Sequence, residues 1–158
     1  MSKVIRKVTS GTLQLSPNFY LSEFTDSDIA VRHGLDNTPN PVITQRLFQL
    51  AGLWEEVRTL VGNRVISISS GYRSPEVNKI AKGSPTSEHM EGTAGDGICR
   101  SFGTPYQLAC KIAGSKIKFG QLIFEGTWVH LSLPGIHNQE ILTAHFKPGE
   151  KTTYTNGL

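Results

Sequence analysis

SGYRSPEVNKIAKGSPTSEHMEGTAGDG, residues 70–97, offers little apolar surface for its length, yet it sets His89 and Asp96 seven residues apart. Ser74 followed by Pro75 is a cap-and-proline pair, so a short helix is expected from there to about Ala81, ended by Lys82-Gly83. A glycine-rich loop through Asp96 is expected next. Gly92 and Gly95 make a tight turn easy, because glycine enters positive φ without penalty. Two further consequences follow from the glycines at 95 and 97. Asp96 would be loosely held, and on spacing alone the segment reads either as a polar loop or as part of a chemical site.

Outward from this stretch the pattern is mixed. Asn40 caps and Pro41 opens a helix whose apolar residues Val42, Ile43, Leu47, Leu50, Ala51, Trp54, Val57, Leu60 and Val61 recur near a 3.6-residue period, stopped by Gly62-Asn63. RVISIS (64–69) is β-branched and short, a strand leading into Ser70. Thr104-Pro105 repeats the cap-and-proline pattern and opens a helix over YQLACKIA, closed by Gly114. FGQLIFEGTWVHLSLP (119–134) reads as a hairpin, with Leu122–Phe124 before a turn containing Gly126. Alternation then places His130 on one face with Trp128 and Ser132, and Val129, Leu131 and Leu133 on the other. A further strand is expected at ILTAHFK (141–147), a short helix after Ser22, and an arm or edge strand over residues 1–15. Helices and strands without a βαβ rhythm indicate an α+β fold.

The 158 residues suit one domain with a C-terminal extension over 134–158, and 37% hydrophobic with 18% charged residues describes a globular chain. A net charge of +3 is a mild basic lean; without a clustered Lys/Arg stripe it does not point to nucleic acid. Cys99 and Cys110 form no CxxC pair and are expected as two small buried residues. The N-terminus lacks the apolar run of a secretory signal, and no stretch is long and apolar enough for a membrane span. The expectation is a monomer made in the cytoplasm that needs another route to any site of action outside.

Five histidines are present, at 33, 89, 130, 137 and 145. His89 and His130 stand out by context, the first in the glycine-rich segment and the second on a strand whose other face is apolar. With Asp96 they would offer two imidazole nitrogens and a carboxylate oxygen. That is the three-ligand set of a catalytic zinc site, which keeps a fourth position open.

SGYRSPEVN, SEHMEGTAGDG and WVHLSL, in that order, resemble the signature of the zinc D-Ala-D-Ala carboxypeptidase-like peptidases, closest to the short members encoded by bacteriophages and prophages. The likeness runs over roughly residues 14–134 and implies a hedgehog/DD-peptidase-like fold, a small antiparallel sheet carrying zinc with helices around it. It implies His89, Asp96 and His130 as ligands of one zinc ion, with Arg73 and Ser87 on the substrate, Ser87 alternatively bracing His89. Many relatives carry an acid three residues before the last histidine; here that residue is Thr127, and the likeness of IFEGTWVH to phage-type members implies Glu125 as general base, with Glu88 and Glu91 as weaker candidates. The implied activity is hydrolysis of a peptide bond in the stem or cross-bridge of bacterial peptidoglycan, as a carboxypeptidase or endopeptidase, in phage lysis after holin-type release or in a virion tail. A non-catalytic virion or wall-binding module that keeps the fold and the metal is the alternative.

Overall fold

The computed structural model describes residues 13–158. The expected arm over residues 1–15 therefore falls mostly outside the described residues; Gln14 and Leu15 belong to a strand. β1 (Gln14–Ser16) and β2 (Phe19–Tyr20) form a small antiparallel hairpin, followed by α1 (Leu21–Thr25) and α2 (Asp28–His33). α1 is held at its start by the Glu23 carboxylate, which accepts from the Tyr20 N–H at 2.7 Å. Where one short helix was expected after Ser22 there are two, because Ser27 caps a second one by accepting from Ala30 N–H at 3.2 Å.

The long helix α3 (Pro41–Leu60) begins as its cap residues dictate, with Asn40 Oδ1 accepting from Ile43 N–H at 2.8 Å. Its inner stripe of Ile43, Leu47, Leu50, Leu53, Trp54 and Val57 is buried, while Val42 is 60% exposed and does not belong to the stripe. β3 (Ser67–Ser70), α4 (Pro75–Ile80), a 3₁₀ turn (Glu88–Glu91) and β4 (Ala94–Ile98) follow. Asp96 thus lies on a strand and not in a loop. α5 (Pro105–Ala113), β5 (Gln121–Phe124), β6 (Val129–Ser132), β7 (Glu140–His145) and β8 (Thr153–Asn156) complete the chain.

Six strands make one sheet in the order β3-β4-β6-β5-β7-β8, all pairs antiparallel except β5 with β7. The fold is α+β, as expected, but the sheet is mixed. The parallel pair arises because the chain leaves β6, passes β5, and enters β7 on its far side. Alternation splits the sheet into two faces. Leu122, Val129 and Leu131 face the helices and are fully buried with Leu50, Trp54, Leu108 and Ile112. The opposite face carries a row of directly paired residues, Ser70–Asp96–His130–Ile123–Leu142. The sheet is covered by helices on one side and carries its polar chemistry on the other.

Trp54 explains the glycines of β4. A Cβ on Gly97 would stand 2.7 Å from Trp54 Cη2, and one on Gly95 would stand 3.1 Å from Trp54 Nε1. The two positions are glycine so that the strand can lie flat on the indole. Asp96 is consequently pinned between α3 and its neighbouring strands, the reverse of the loose placement its neighbours suggest. Cys99 is buried, but Cys110 is exposed and both thiols are free. α5 turns Leu108, Ala109 and Ile112 inward, which leaves Cys110 on its outer side. Among the described residues no helix is long and apolar enough to cross a membrane.

The N-terminal hairpin is tied to α3 by one carboxylate. Glu55 accepts from Ser16 Oγ at 2.7 Å, Asn18 N–H at 2.7 Å and Asn18 Nδ2 at 3.0 Å. Partial burial would raise its pKa, but these bonds and Arg58 hold it below the ordinary 4.5. A group with a depressed folded pKa stabilises fully above its unfolded pKa and loses that contribution as pH falls through the folded one. Glu55→Ala should therefore cost about 1–2 kcal/mol at pH 7, the scale of hydrogen bonds to a half-exposed charge. Urea unfolding of both proteins should show the gap closing as pH drops below 4.5; a gap independent of pH would contradict the charged-acceptor role.

Candidate metal centre

His89 is placed by its own backbone turn. Ser87 Oγ accepts from His89 N–H at 3.3 Å, and Gly92 closes the turn at φ +70°, where a side chain would be strained. Gly95 plays no part in that turn, being inside β4. The His89 ring is oriented by Gly71, whose carbonyl oxygen is 2.7 Å from Nδ1. A carbonyl can only accept, so Nδ1 carries a proton, which leaves Nε2 as the ring atom turned toward Asp96. That Nε2 lies 3.3 Å from Asp96 Oδ1. From the next strand, His130 brings Nδ1 to 3.1 Å from the same oxygen. The imidazoles meet edge to face, 5.1 Å between centroids.

All three residues are buried, and one donor atom from each lies within 4.8 Å of the others. Burial alone would raise the Asp96 pKa, but the charge and hydrogen bonding of the two histidines hold the carboxyl well below the usual carboxylate range. Burial would lower His130, and the Asp96 and Glu125 carboxylates outweigh it and push the imidazole up. The set fits zinc on chemistry and on size. With bonds of about 2.0–2.1 Å, neighbouring ligands of a tetrahedral ion stand about 3.3 Å apart, and the two contacts to Asp96 are 3.3 and 3.1 Å.

The centre opens into a cleft of about 580 Å³ that Arg73, Ser87 and Glu125 also line. The structure thus brings together all six residues singled out from the sequence. Glu125 sits at the head of the β5–β6 turn, where Gly126 takes φ +81°, and its Oε1 is 3.9 Å from His130 Nδ1. Burial first, then repulsion from Asp96, raises its pKa against the opposing pull of His130, Trp128 and Arg73. Of the weaker candidates, Glu88 lines the cleft, whereas Glu91 is bound to Arg46 at 2.9 Å on the surface. His137 borders the cleft and pairs with Glu140 at 2.9 Å; His145 is exposed and bonded to Thr155.

A family model described as Peptidase M15 matches residues 17–132, from the β1–β2 turn to the end of β6. The chain belongs to the M15 peptidase family. The family is zinc-dependent, and the buried histidine–aspartate–histidine set is where this member could hold its metal. Comparison with curated proteins returns no match.

One residue of this M15 site is not evident from sequence reasoning. Asn37 donates from Nδ2 to the carbonyls of Thr25 (2.8 Å) and Tyr72 (3.0 Å), and its Oδ1 accepts from Ser74 N–H at 2.7 Å. It clamps the residues on either side of Arg73, whose own N–H donates to His89 C=O at 3.1 Å. Gly71 completes the clamp, since a Cβ there would lie 2.5 Å from the Phe24 carbonyl oxygen. A lone asparagine two residues before Pro39 carries no periodic signal; only the fold shows its partners. Asn37→Ala should destabilise by about 1–3 kcal/mol, because it strands backbone groups in a half-buried site. Chemical denaturation checks this, and a loss below about 0.5 kcal/mol, the ordinary surface scatter, would refute the clamp.

Proposed function

We propose that this M15 peptidase hydrolyses a peptide bond in the stem or cross-bridge of bacterial peptidoglycan, using one zinc ion held by His89 Nε2, Asp96 Oδ1 and His130 Nδ1. The observation that carries the reading is the convergence of these three donors in a cleft that also holds a half-buried cation, Arg73, and a carboxylate, Glu125. Zinc in that position supplies a polarising centre for the scissile carbonyl and lowers the pKa of water toward neutrality.

The protein's own residues do the rest. Glu125, 3.9 Å from His130, is within reach of the same space. With its raised pKa it suits a group that takes a proton from the attacking water at a carboxylate oxygen and returns it to the leaving amine. Arg73 is half-buried and lines the cleft, where its guanidinium would bind an oxyanion or a terminal carboxylate of the substrate. Burial lowers its pKa, while Asp96 and Glu125 favour its charge. Ser87 serves chiefly as the brace of the His89 turn. A phage role, in lysis or in a tail, belongs to this proposal as the setting in which such an enzyme meets the cell wall.

Two outcomes test the reading. Purified protein should contain stoichiometric zinc and release peptide fragments from purified sacculi, detected by mass spectrometry, with release abolished by chelator and restored by zinc. Bound zinc without cleavage of any sacculus type would favour the non-catalytic wall-binding module instead. Separately, Glu125→Gln should lower kcat by about 10²–10⁴-fold, the usual worth of general acid–base catalysis, while zinc content stays unchanged. Full activity in that variant would remove Glu125 from the mechanism.

A further inference from the structure

Residues 133–158 lie beyond the stretch matched to the family, yet they build one wall of the cleft. β7 and β8 extend the sheet so that Leu142 stands opposite Ile123, itself opposite His130, and Tyr154 stands opposite Ala144. Three aromatic rings collect on this side. Trp128 and Phe146 are 6.4 Å apart and tilted by 49°, and Tyr154 lines the same cleft. Phe146 is 54% and Tyr154 52% exposed, so these rings contribute little to the core.

We propose that Trp128, Phe146 and Tyr154 form a shelf that binds a sugar ring of the substrate's glycan, on the far side of the metal centre from Arg73. The inference rests on the peptidoglycan reading and deepens it. A pyranose is a disc with an apolar C–H face and a hydroxyl rim. It matches open aromatic faces bordered by hydroxyls, here those of Thr152 and Tyr154. An aliphatic side chain would instead call for an enclosed pocket. Burial, then the Glu125 carboxylate, raises the Tyr154 pKa, which places the phenol in the field of the cleft's carboxylate. The opposite wall is polar and charged, with Arg73, Lys82 and Glu88. The two walls orient the substrate, its glycan end over β7–β8 and its carboxyl end toward Arg73. Strands about 4.8 Å apart put Tyr154 on β8 about 14 Å from β6, so the shelf runs from Trp128 beside the metal centre out to the sheet edge. A sugar at its outer end would stand a short stem peptide away from the scissile bond.

The test has two arms, run on the zinc-loaded full chain, on Phe146→Ala and on Tyr154→Ala, each variant checked for folding by far-UV circular dichroism. In the first, hydrolysis of a disaccharide-linked stem peptide is compared with that of the same peptide without sugar. The wild type should favour the glycan-linked form by about tenfold in kcat/KM, the scale of one stacked ring, and the ratio should fall toward one in both variants. In the second, a tetrasaccharide of N-acetylglucosamine is titrated in while tryptophan fluorescence is followed. Trp54 is fully buried, so Trp128 reports the binding, and the response should weaken in both variants. Saccharide binding with no hydrolysis of either peptide would overturn the peptidase reading and leave the shelf standing. Equal hydrolysis of both peptides with no fluorescence response would overturn the shelf and leave the peptidase. A glycan preference that survives both truncations would take the role from these residues, and failure of both arms would overturn both readings.

Discussion

The direct pairing of Asp96 with His130 across β4 and β6 is the constraint on which the site depends. Opposed residues on neighbouring strands share a face and stand about 4.5–5.5 Å apart at Cβ. Two of the three donors are therefore brought together by backbone hydrogen bonding alone. A slip of one residue would turn His130 toward the helices and send Val129 or Leu131 into the cleft. Register is fixed because those two neighbours are fully buried against α3 and α5. The core thus sets the placement of these two donors by refusing the alternative. His89 joins from outside the sheet and needs its own support, which Gly71, Ser87 and Gly92 supply.

That support reaches well beyond the cleft. The Gly71 carbonyl that orients His89 belongs to a segment held against the Phe24 backbone, where Tyr72 N–H donates to Phe24 C=O at 2.7 Å. Asn37 links the same segment to the end of α1. α1 and the loop after α2, which carry none of the donor residues, therefore decide where Arg73 and His89 stand. Elements that contribute packing and elements that contribute chemistry are joined through a few backbone carbonyls.

Legibility in the sequence followed the strength of local signals. Asn40-Pro41, Ser74-Pro75 and Thr104-Pro105 mark three helix starts, and each side-chain cap is formed. The alternation around His130 was equally plain, because one face of β6 packs on the core. β4 was not legible: AGDGI has neither β-branched bulk nor alternation until its last residue, and the need for glycine comes from Trp54, some forty residues earlier in the chain. β8, with four exposed residues, offers no burial pattern to read. The donors His89, Asp96 and His130 could be picked out by residue type, whereas the parts played by Asn37 and Tyr154 are set by tertiary contacts that no spacing encodes.

The electrostatics of the cleft argue for a site built to be completed. Asp96 lies buried between two imidazoles, and its carboxylate is the negative centre that keeps His130 proton-loving. Two like carboxylates, Asp96 and Glu125, share this confined space with the half-buried Arg73, whose inaccessible Nε has no partner. Burying such groups without full pairing is costly, and a fold that only needed stability would replace them with apolar side chains. A divalent cation between the donors would relieve the Asp96–Glu125 repulsion, and an anionic substrate group would satisfy Arg73. On the proposed reading, the same two ligands that take part in the chemistry would also relieve the crowding of charge in this one cleft.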